Sequence, residues 1–432
     1  MASAEHALDV YLNKNIIATI RLQGDQLHWQ YQPAWQQTGF AVSPHLPLHK
    51  PIPTLNVQRF LRNLLPESHG LEALLTTFHL SRDNTFGLIR NLGLDIAGAL
   101  VVLPHGQSYP YNAGFRLIPH HELAQRLNNR DTFNLTIWDG KPRLSVAGVQ
   151  DKINVVVNDD NQIGFGEGNL CSTHILKFET KKLSHLVLNE YFSMQLAKQC
   201  GLNVADVKLV HFETHPSLLV QRFDRFISTR DKVTRRQIID GCQALNLPPE
   251  YKYERNFGSN RDVAHIREGA TFKKLFNFAN QCDNPIVTKQ QILDWALFNV
   301  LIFNYDAHGK NISFFVGHNG LTLTPFYDLV NIHMYPHFDH EIAMALGDEF
   351  DSQNINAYQL ADFADSCGLA RLLVARRLTN LATTLLTALV PVGEKISAND
   401  QELEYLAIYQ QAVSKRCQHL LTQAKQIVNI DL

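Results

Sequence analysis

A six-residue stretch, "DAHGKN" at 306–311, gathers a carboxylate, an imidazole, an amine and an amide directly after an apolar segment. Its D-x-x-x-x-N spacing is typical of a phosphotransferase catalytic loop, in which the Asp orients a hydroxyl nucleophile and accepts its proton, and the Asn oxygen binds Mg²⁺. The spacing therefore predicts Asp306 as a catalytic base and Asn311 as a metal ligand. We expect His308 to hydrogen-bond within the loop, and Lys310 to neutralise charge on the transferring phosphate.

A second acidic residue, Asp328 in "LTLTPFYD", follows Asn311 at a distance of 17 residues. The sequence between them alternates as two strands around a Gly-His-Asn-Gly turn, which predicts a hairpin that brings Asn311 and Asp328 together. A carboxylate and an amide oxygen are suitable Mg²⁺ ligands when ATP supplies the others. Taken alone, Asp328 would equally suit a helix N-cap.

One lysine, Lys177, interrupts the apolar strand pattern "THILKFE", and Glu190 lies on the amphipathic helix pattern that follows. A strand lysine paired with a helix glutamate is the arrangement that positions ATP phosphates in protein kinases. The plainer alternatives are that Lys177 extends into solvent from a strand edge and that Glu190 is a solvated helix residue.

Small residues cluster in "SVAGVQDK", Ser145 to Lys152, between two strand patterns. Their backbone N–H groups could approach phosphates. This signal is weak alone, because the chain contains neither G-x-G-x-x-G nor a Walker A sequence, and Ser145 could be purely structural.

The elements around these motifs predict an α+β fold. Period-2 alternation over residues 8–31 indicates a β-meander, and a helix capped by Asn56 should follow it. A β-β-β-α-β-β order after residue 142 predicts an antiparallel sheet, and helices dominate after residue 240, with one very apolar helix ending at the loop. We expect a small N-terminal α+β domain (1–103), an ATP-binding lobe (104–225) and a helical lobe (226–432), with the loop held in the cleft between the lobes.

Composition narrows the class of protein. Hydrophobic residues make up 45% and charged residues 19% of the 432 residues, and the formal net charge is -2, so the chain should form a packed core and should not coat nucleic acid by itself. The six cysteines form no CxxC pair and the histidines show no H-E-x-x-H spacing. With no signal-peptide pattern and no apolar run of roughly 18 residues, we expect a cytoplasmic protein without membrane contact.

Taken together, several segments resemble the HipA-type serine/threonine kinases, the toxins of bacterial type II toxin–antitoxin modules. The similarity extends from about residue 8 to about residue 350 and is carried by "VQRFLRNLLPES", "SVAGVQDK", "THILKF", "NEYFSMQLAKQCGLNV", "RFDR", "YDAHGKN" and "LTPFYD". The resemblance implies a two-lobed fold similar to protein and phosphatidylinositol kinases, with an extra N-terminal subdomain, and the use of ATP and Mg²⁺.

The resemblance also implies residue roles. It makes Asp306 the base, Asn311 and Asp328 the Mg²⁺ ligands, and Lys177 a phosphate ligand. It adds a serine that undergoes autophosphorylation, Ser145, which switches the enzyme off. The ATP-binding residues it implies are Val146, Ala147, Gly148, Val149, Gln150, Asp151 and Lys152 in the phosphate loop, Gln221, Arg222 and Phe223 beside adenine, and Tyr327 stacking nearby. Gln221 departs from the glutamate that is common in relatives.

The implied partners are a small helix-turn-helix antitoxin (HipB-like), operator DNA reached through that complex, and glutamyl-tRNA synthetase as the protein substrate. Two other classes of function stay open from the residues themselves. The same loop spacing suits a small-molecule or lipid kinase, and a non-catalytic co-repressor scaffold could retain the site.

Overall fold

The protein is represented by a computed structural model that describes residues 6–130, 135–143, 150–180, 183–229 and 232–432. Two compact units are formed from interleaved stretches of chain. The first contains residues up to 180, 206–249 and 314–321; the second contains 181–205, 250–313 and 322–432. This division differs from the three domains expected from sequence, whose bounds stay a prediction.

The first unit begins with the β-meander that the alternating pattern predicts. Its first turn places Asn13 and Lys14 at φ +47° and +75°, the two positive values that a type I′ hairpin turn requires. The antiparallel sheet has the order β3-β2-β1-β4, formed by β1 (Ala7–Leu12), β2 (Asn15–Gln23), β3 (Gln26–Tyr31) and β4 (Leu100–Pro104). Between β3 and β4 lie α1 (Pro33–Thr38), α2 (Thr54–Arg62), α3 (Ser68–Phe78) and α4 (Thr85–Leu92).

The predicted cap of α2 is wrong. The helix starts at Thr54, with Pro53 at the N-cap, and Asn56 lies inside its first turn. Pro53 holds φ at -61° and its carbonyl accepts the first helical bond from the Val57 N–H at 3.3 Å, so the chain already turns before Asn56. The Asn56 amide instead donates to the His45 carbonyl at 3.1 Å.

A second antiparallel sheet in the first unit confirms the predicted β-β-β-α-β-β order and has the strand order β11-β12-β10-β8-β9-β5. Trp138, Phe165 and Phe178 are buried in its core. The edge strand β5 was not predicted. The elements are β5 (Ala113–Leu117), α5 (His120–Asn128), β6 (Ile137–Trp138), β7 (Lys141–Pro142), β8 (Lys152–Val157), β9 (Ile163–Gly168), β10 (His174–Phe178), α6 (Leu186–Gln199, in the second unit), β11 (Val207–Phe212) and β12 (His215–Gln221).

Short elements follow β12, and the hairpin predicted after the opening motif is present. Its strands are β16 and β17, which pair in the order β15-β16-β17. The elements are β13 (Arg225–Thr229), β14 (Lys232–Arg235), β15 (Ile238–Asp240), α7 (Gly241–Ala244), β16 (Ser313–Gly317) and β17 (Gly320–Leu323).

The second unit is mainly helical, as expected. Here α11 packs against α6, α9 and α12, and Arg377 on α11 donates to both carboxylate oxygens of Asp294 on α9. Within the described ranges, no helix has the length and apolar character needed to cross a membrane. The remaining elements are α8 (Phe272–Phe278), α9 (Pro285–Leu301), β18 (Glu341–Leu346), β19 (Glu349–Asp351), α10 (Ala357–Ser366), α11 (Arg371–Gly393) and α12 (Asp400–Ala424).

Candidate phosphoryl-transfer site

The loop that carries the opening motif follows α9, whose last ten residues, Ile292 to Leu301, are buried in the core of its unit except for Asp294. Just after the helix, Phe303 adopts φ +58°, a strained value for a bulky residue. Its ring stacks on His333 at 4.8 Å, and its carbonyl accepts from the Ile332 N–H at 3.0 Å. These contacts hold the sharp turn that separates helix from loop.

Asn304, which is buried, connects the parts of the loop. Its Oδ1 accepts from the Asp306 N–H at 3.2 Å, and its Nδ2 donates to Asn299 Oδ1 at 2.9 Å. The same Nδ2 lies 3.5 Å from the Asp328 carbonyl oxygen. Sequence reasoning missed this residue; the available signal was an amide at the end of an apolar run, two residues before Asp306.

The carboxylate of Asp306 has 44% of its side-chain surface exposed, so a substrate hydroxyl can reach it. The Tyr253 hydroxyl donates to Asp306 Oδ1 at 2.5 Å. A general base must lie within hydrogen-bonding distance of the proton that it removes, and a carboxylate that is both anchored and reachable meets that condition. Tyr253 was not identified from the sequence.

The ring of His308 is buried inside the loop. Its Nδ1 accepts from the Lys310 N–H at 3.2 Å, which leaves the proton on Nε2, 4.0 Å from Asp306 Oδ1. Burial lowers the pKa of His308 well below its usual range, and the cations of Lys252 and Lys310 lower it further. The imidazole is therefore neutral and supports the loop without adding charge.

Asn311 and Asp328 are neighbours, as the hairpin predicted: Asn311 Nδ2 donates to Asp328 Oδ2 at 3.1 Å. Asp328 has φ +61°, a left-handed conformation that costs free energy and is concentrated at functional sites. Because Nδ2 of Asn311 donates to the carboxylate, the atom of this side chain that can coordinate a hard cation is Oδ1.

This pair fits Mg²⁺. The described residues contain no group of three or more His, Cys, Asp or Glu side chains suited to a metal. Mg²⁺ commonly takes one or two protein oxygens and completes its shell with water and nucleotide phosphates. One carboxylate and one amide oxygen match that requirement.

Tyr327 reaches back to the loop. Its hydroxyl donates to the Lys310 carbonyl at 2.7 Å and also lies 2.7 Å from Ser313 Oγ. Lys310 is buried, with 6% of its surface exposed. The predicted stacking of Tyr327 near adenine stays a prediction, but its hydroxyl is anchored beside the metal-ligand candidates.

Two lysines lie directly opposite one another in the sheet of the first unit: Lys177 on β10 pairs with Lys152 on β8. Both are buried, at 6% and 4% exposure. Opposed residues project from the same face of a sheet, so the two lysine side chains are neighbours on that face. The adjoining chain is tied to β10, because Gln150 Nε2 donates to the Phe178 carbonyl at 3.1 Å.

Other predicted residues are placed as follows. Asp151 accepts through its carbonyl from the Phe178 N–H at 2.9 Å. Glu190 is buried on α6 in the second unit, whereas Lys177 belongs to the first, and their ion pair stays a prediction. Five predicted residues lie outside the described residues: Ser145, Val146, Ala147, Gly148 and Val149.

The predicted adenine segment starts where β12 ends. The Gln221 N–H donates to the Asp206 carbonyl at 2.8 Å, and the Arg222 N–H donates to the Thr173 carbonyl at 2.9 Å. Gln221 is exposed, and the Phe223 ring meets Phe315 edge-on at 6.0 Å. The Arg222 side chain points elsewhere, so any contact of this residue with adenine must use its backbone.

That side chain belongs to a buried cluster, which we call the arginine cluster: Arg222, Asp224, Arg225 and Asp95. Arg222 Nη2 and Arg225 Nη1 lie 2.7 and 2.9 Å from Asp224 Oδ2, and Arg225 Nη2 lies 3.1 Å from Asp95 Oδ1. Burial alone would raise the pKa of Asp224, but the two guanidinium groups outweigh it and hold that pKa well below its usual range. The "RFDR" motif is thus largely an internal ion network.

Comparison with known proteins identifies two matching families. The HipA N-terminal domain matches residues 8–103, and the HipA-like C-terminal domain matches residues 144–389. The chain is 44% identical over 429 residues to the serine/threonine-protein kinase toxin HipA of Shewanella oneidensis, with 98% of each chain covered. A relative from Sinorhizobium fredii is 32% identical over 85% of this chain and 87% of its own length.

A solved structure shows the same fold. It contains the Shewanella oneidensis toxin–antitoxin proteins HipA and HipB with their operator DNA, and its HipA chain superposes with a TM-score of 0.91 at 43% identity. The match covers 98% of this chain and 100% of that one. Together with the mixed sheets and helices described above, this confirms the predicted fold class.

Proposed function

The chain belongs to the HipA family of serine/threonine-protein kinases, and from that premise we propose that it transfers the γ-phosphate of ATP to a protein serine or threonine hydroxyl. One observation carries the proposal. The loop that presents the anchored, partly exposed carboxylate of Asp306 also presents Asn311, which is bonded to Asp328. A base and a hard-cation site five residues apart are the two parts that phosphoryl transfer needs.

In the proposed reaction, Asp306 accepts the proton of the substrate hydroxyl while that oxygen forms its bond to the γ-phosphorus and the bond to ADP breaks. Asn311 and Asp328 hold Mg²⁺, which supplies neutralisation of charge on the phosphate oxygens. Lys310 acts on the transferring phosphate, whose negative charge its ammonium group offsets. The neutral His308 adds no competing cation.

In this proposal, most of the residues that hold ATP belong to the first unit. Lys177 and Lys152 bind phosphates; the support is the family resemblance and their opposed positions on one face of the sheet. Gln221 to Phe223 bind adenine through the backbone, and Tyr327 stacks nearby. The phosphate loop continues through Val146 to Val149.

Regulation follows from Ser145 at the start of that loop. A phosphoserine carries about -1.5 to -2 charges at pH 7 and would repel the phosphates of ATP. We propose that the enzyme phosphorylates Ser145 and thereby inhibits itself. The support is the family resemblance, together with the charge argument.

The proposed setting is a cytoplasmic toxin–antitoxin module. The relative in Shewanella oneidensis was solved with HipB and operator DNA, and a formal net charge of -2 suits a chain that reaches DNA through a basic partner. All six cysteines are at described positions and none forms a disulfide bond, which fits a reducing compartment. Glutamyl-tRNA synthetase is the proposed substrate, and its phosphorylation would arrest growth.

The test is incubation of the purified chain with ATP and Mg²⁺, followed by intact-mass measurement and peptide mapping. We expect one added phosphate on Ser145, and none without Mg²⁺ or in the Asp328→Asn variant. Ser145→Ala should retain ATP binding and lose this modification. A wild-type chain that binds ATP yet transfers phosphate to no protein hydroxyl would contradict the proposal.

Induced expression distinguishes the remaining classes of function. Asp306→Gln should abolish growth arrest, and co-expression of the antitoxin should relieve arrest by the wild type. Arrest that survives Asp306→Gln would favour the co-repressor scaffold. Transfer to a sugar or an inositol lipid, but to no protein, would favour a small-molecule or lipid kinase.

A further inference from the structure

A short segment outside the motif, residues 251–254, contacts the catalytic loop at several points. The Tyr253 hydroxyl donates to Asp306 Oδ1 at 2.5 Å, and the Tyr253 ring meets His308 edge-on with centroids 5.1 Å apart. The Gly309 N–H donates to the Lys252 carbonyl at 2.9 Å. Side-chain and backbone contacts therefore fix this segment to the loop together.

The backbone of this segment is itself held on both sides. Its two ends accept hydrogen bonds, from the Ala270 N–H to the Tyr251 carbonyl at 2.9 Å and from the Gly269 N–H to the Glu254 carbonyl at 3.2 Å. The Glu254 side chain accepts from the Ala345 N–H at 2.8 Å. A Tyr253 hydroxyl carried by so constrained a backbone has little freedom to follow a moving partner.

Gly269 shows how tight this packing is. A Cβ atom at that position would lie 1.7 Å from the Tyr253 carbonyl oxygen, far inside van der Waals contact. Only glycine allows the two backbones to approach this closely. The position of Tyr253 is therefore set by backbone packing that is independent of Asp306.

We propose that Tyr253 is a positioning residue for phosphoryl transfer: its hydroxyl fixes the carboxylate of the base, Asp306, in the orientation that meets the substrate hydroxyl. The inference rests on the proposed function. The carboxylate has 44% of its side chain exposed, and a hydrogen bond from a fixed donor restricts the rotamers that it can adopt. Misplacing a base by about 1 Å can cost about a hundredfold in rate.

His308 cannot take over this role. Its Nε2 is 4.0 Å from Asp306 Oδ1, beyond hydrogen-bonding distance. Its ring instead packs against the ring of Tyr253, so the phenol contacts both the base and the buried side chain beneath it. Removing only the hydroxyl of Tyr253 therefore abolishes its contact with Asp306 and keeps its ring contact with His308.

The test uses Tyr253→Phe, which keeps the ring and removes the hydroxyl, and Tyr251→Phe as the matched control. Tyr251 lies in the same segment, and its ring packs against Phe257. Initial rates of phosphate incorporation are measured against ATP concentration with radiolabelled ATP and Mg²⁺. For Tyr253→Phe we expect the maximal rate to fall roughly ten- to hundredfold, as for the loss of a hydrogen bond to a charged group, with an unchanged half-saturating ATP concentration. Tyr251→Phe should match the wild type.

A double-mutant cycle completes the test. In an Asp306→Asn background, single-turnover rates should show no further loss from Tyr253→Phe, because a residue that acts through Asp306 has nothing left to position. Overlapping thermal unfolding curves check that both Tyr variants are folded.

Three results would overturn the inference: equal maximal rates for Tyr253→Phe and wild type, a change confined to the half-saturating ATP concentration, or a full additional loss in the Asp306→Asn background. Absence of transfer by the wild type would instead remove the proposed function, and this inference with it.

Discussion

The candidate catalytic loop (Asn304 to Asn311) and the arginine cluster are both short, polar and set in apolar surroundings, but their carboxylates differ in exposure and in hydrogen-bond donors. In the arginine cluster, charges pair with charges: the side chains of Arg222 and Asp224 are 2% and 5% exposed and lie 2.7 Å apart. In the loop, the Asp306 carboxylate is 44% exposed and accepts from the neutral phenol of Tyr253.

This difference suits the arginine cluster to stabilising the fold and the loop to phosphoryl transfer. A buried, fully paired carboxylate has its lone pairs occupied, and removing one partner leaves an uncompensated buried charge. A carboxylate held by a neutral donor, with part of its surface open to solvent, is reachable by a substrate proton. A motif rich in charge is therefore best assigned by what its charges contact, and substitutions in the two regions should have opposite consequences.

The largest expected effect is on activity, from Asp306→Asn. The side chain keeps its shape and loses the basic oxygen, so the rate of phosphoryl transfer should fall by up to about 10⁴-fold while the unfolding midpoint barely moves. Radiolabel incorporation and thermal unfolding measure the two quantities. Asp339→Asn is the control, because Asp339 is an exposed aspartate in the same unit that also accepts from a hydroxyl, that of Ser259 at 3.2 Å. An Asp306→Asn variant with the wild-type transfer rate would contradict the assignment of the loop to activity and of the arginine cluster to stability.

Next comes Asp224→Asn in the arginine cluster, where the expected effect is on folding. Without this carboxylate, Arg222 and Arg225 remain buried side by side, which should lower the free energy of unfolding by about 3–5 kcal/mol. Urea denaturation measures it. Asp365→Asn is the control, since Asp365 accepts two bonds from Arg371 at 2.9 and 2.6 Å but is exposed, and the midpoint should hardly change. Equal losses at both positions would show that burial is not what distinguishes the clusters.

Local patterns predicted much of this molecule. Alternation and turn residues located the meander, the β-β-β-α-β-β sheet and the hairpin that joins Asn311 to Asp328. The Asn56 cap failed because Pro53 starts the helix earlier through its fixed φ, which competes with side-chain capping. The edge strand β5 was missed, since its partner β9 lies far along the chain. The short strands β18 and β19, which pair with each other, were missed as well.

In the candidate site, too, the sequence predicted some residues and missed others. Asp306, Asn311 and Asp328 are readable because their spacing is local or follows from one hairpin. Tyr253 and Asp95 are not, because each reaches its partner across a long sequence separation with no pattern to signal it. Asp95 adds to the arginine cluster what "RFDR" alone cannot show: a second carboxylate that makes the cluster an internal network.

The free energy of unfolding should depend on pH through His174. Its strand, β10, pairs with the end of β12, beside the arginine cluster. Burial lowers the pKa of His174 to about 4, with a contribution from Lys208. The unfolded chain binds this proton at about pH 6.5 and the folded chain only near pH 4, so stability should fall as pH drops through that window, by up to about 3 kcal/mol. Denaturation curves from pH 7 to 4 measure the loss.

In His174→Gln that part of the slope should disappear. His211→Gln, on strand β11 of the same sheet and with its side chain exposed, should keep it. Transfer rates per folded molecule should be alike in both variants. A loss of activity that precedes the loss of folding would place this histidine with the loop and not with the structural region.

The smallest expected effect comes from Asn304→Ala. This variant tests whether one buried amide both stabilises the fold and positions Asp306. Asn304→Ala removes the bonds to the Asp306 N–H and to Asn299, and should lower the free energy of unfolding by about 1–2 kcal/mol. Asn63→Ala is its match in the first unit, where a buried amide donates to the carbonyls of Arg59 and Leu247 at 2.9 Å. Both variants should lose similar stability, but only Asn304→Ala should also lower the maximal transfer rate, by about tenfold, because Asp306 loses its backbone anchor. Parallel losses of rate in the two variants would mean that the loop responds to global stability, and that the two regions are less separate than their contacts indicate.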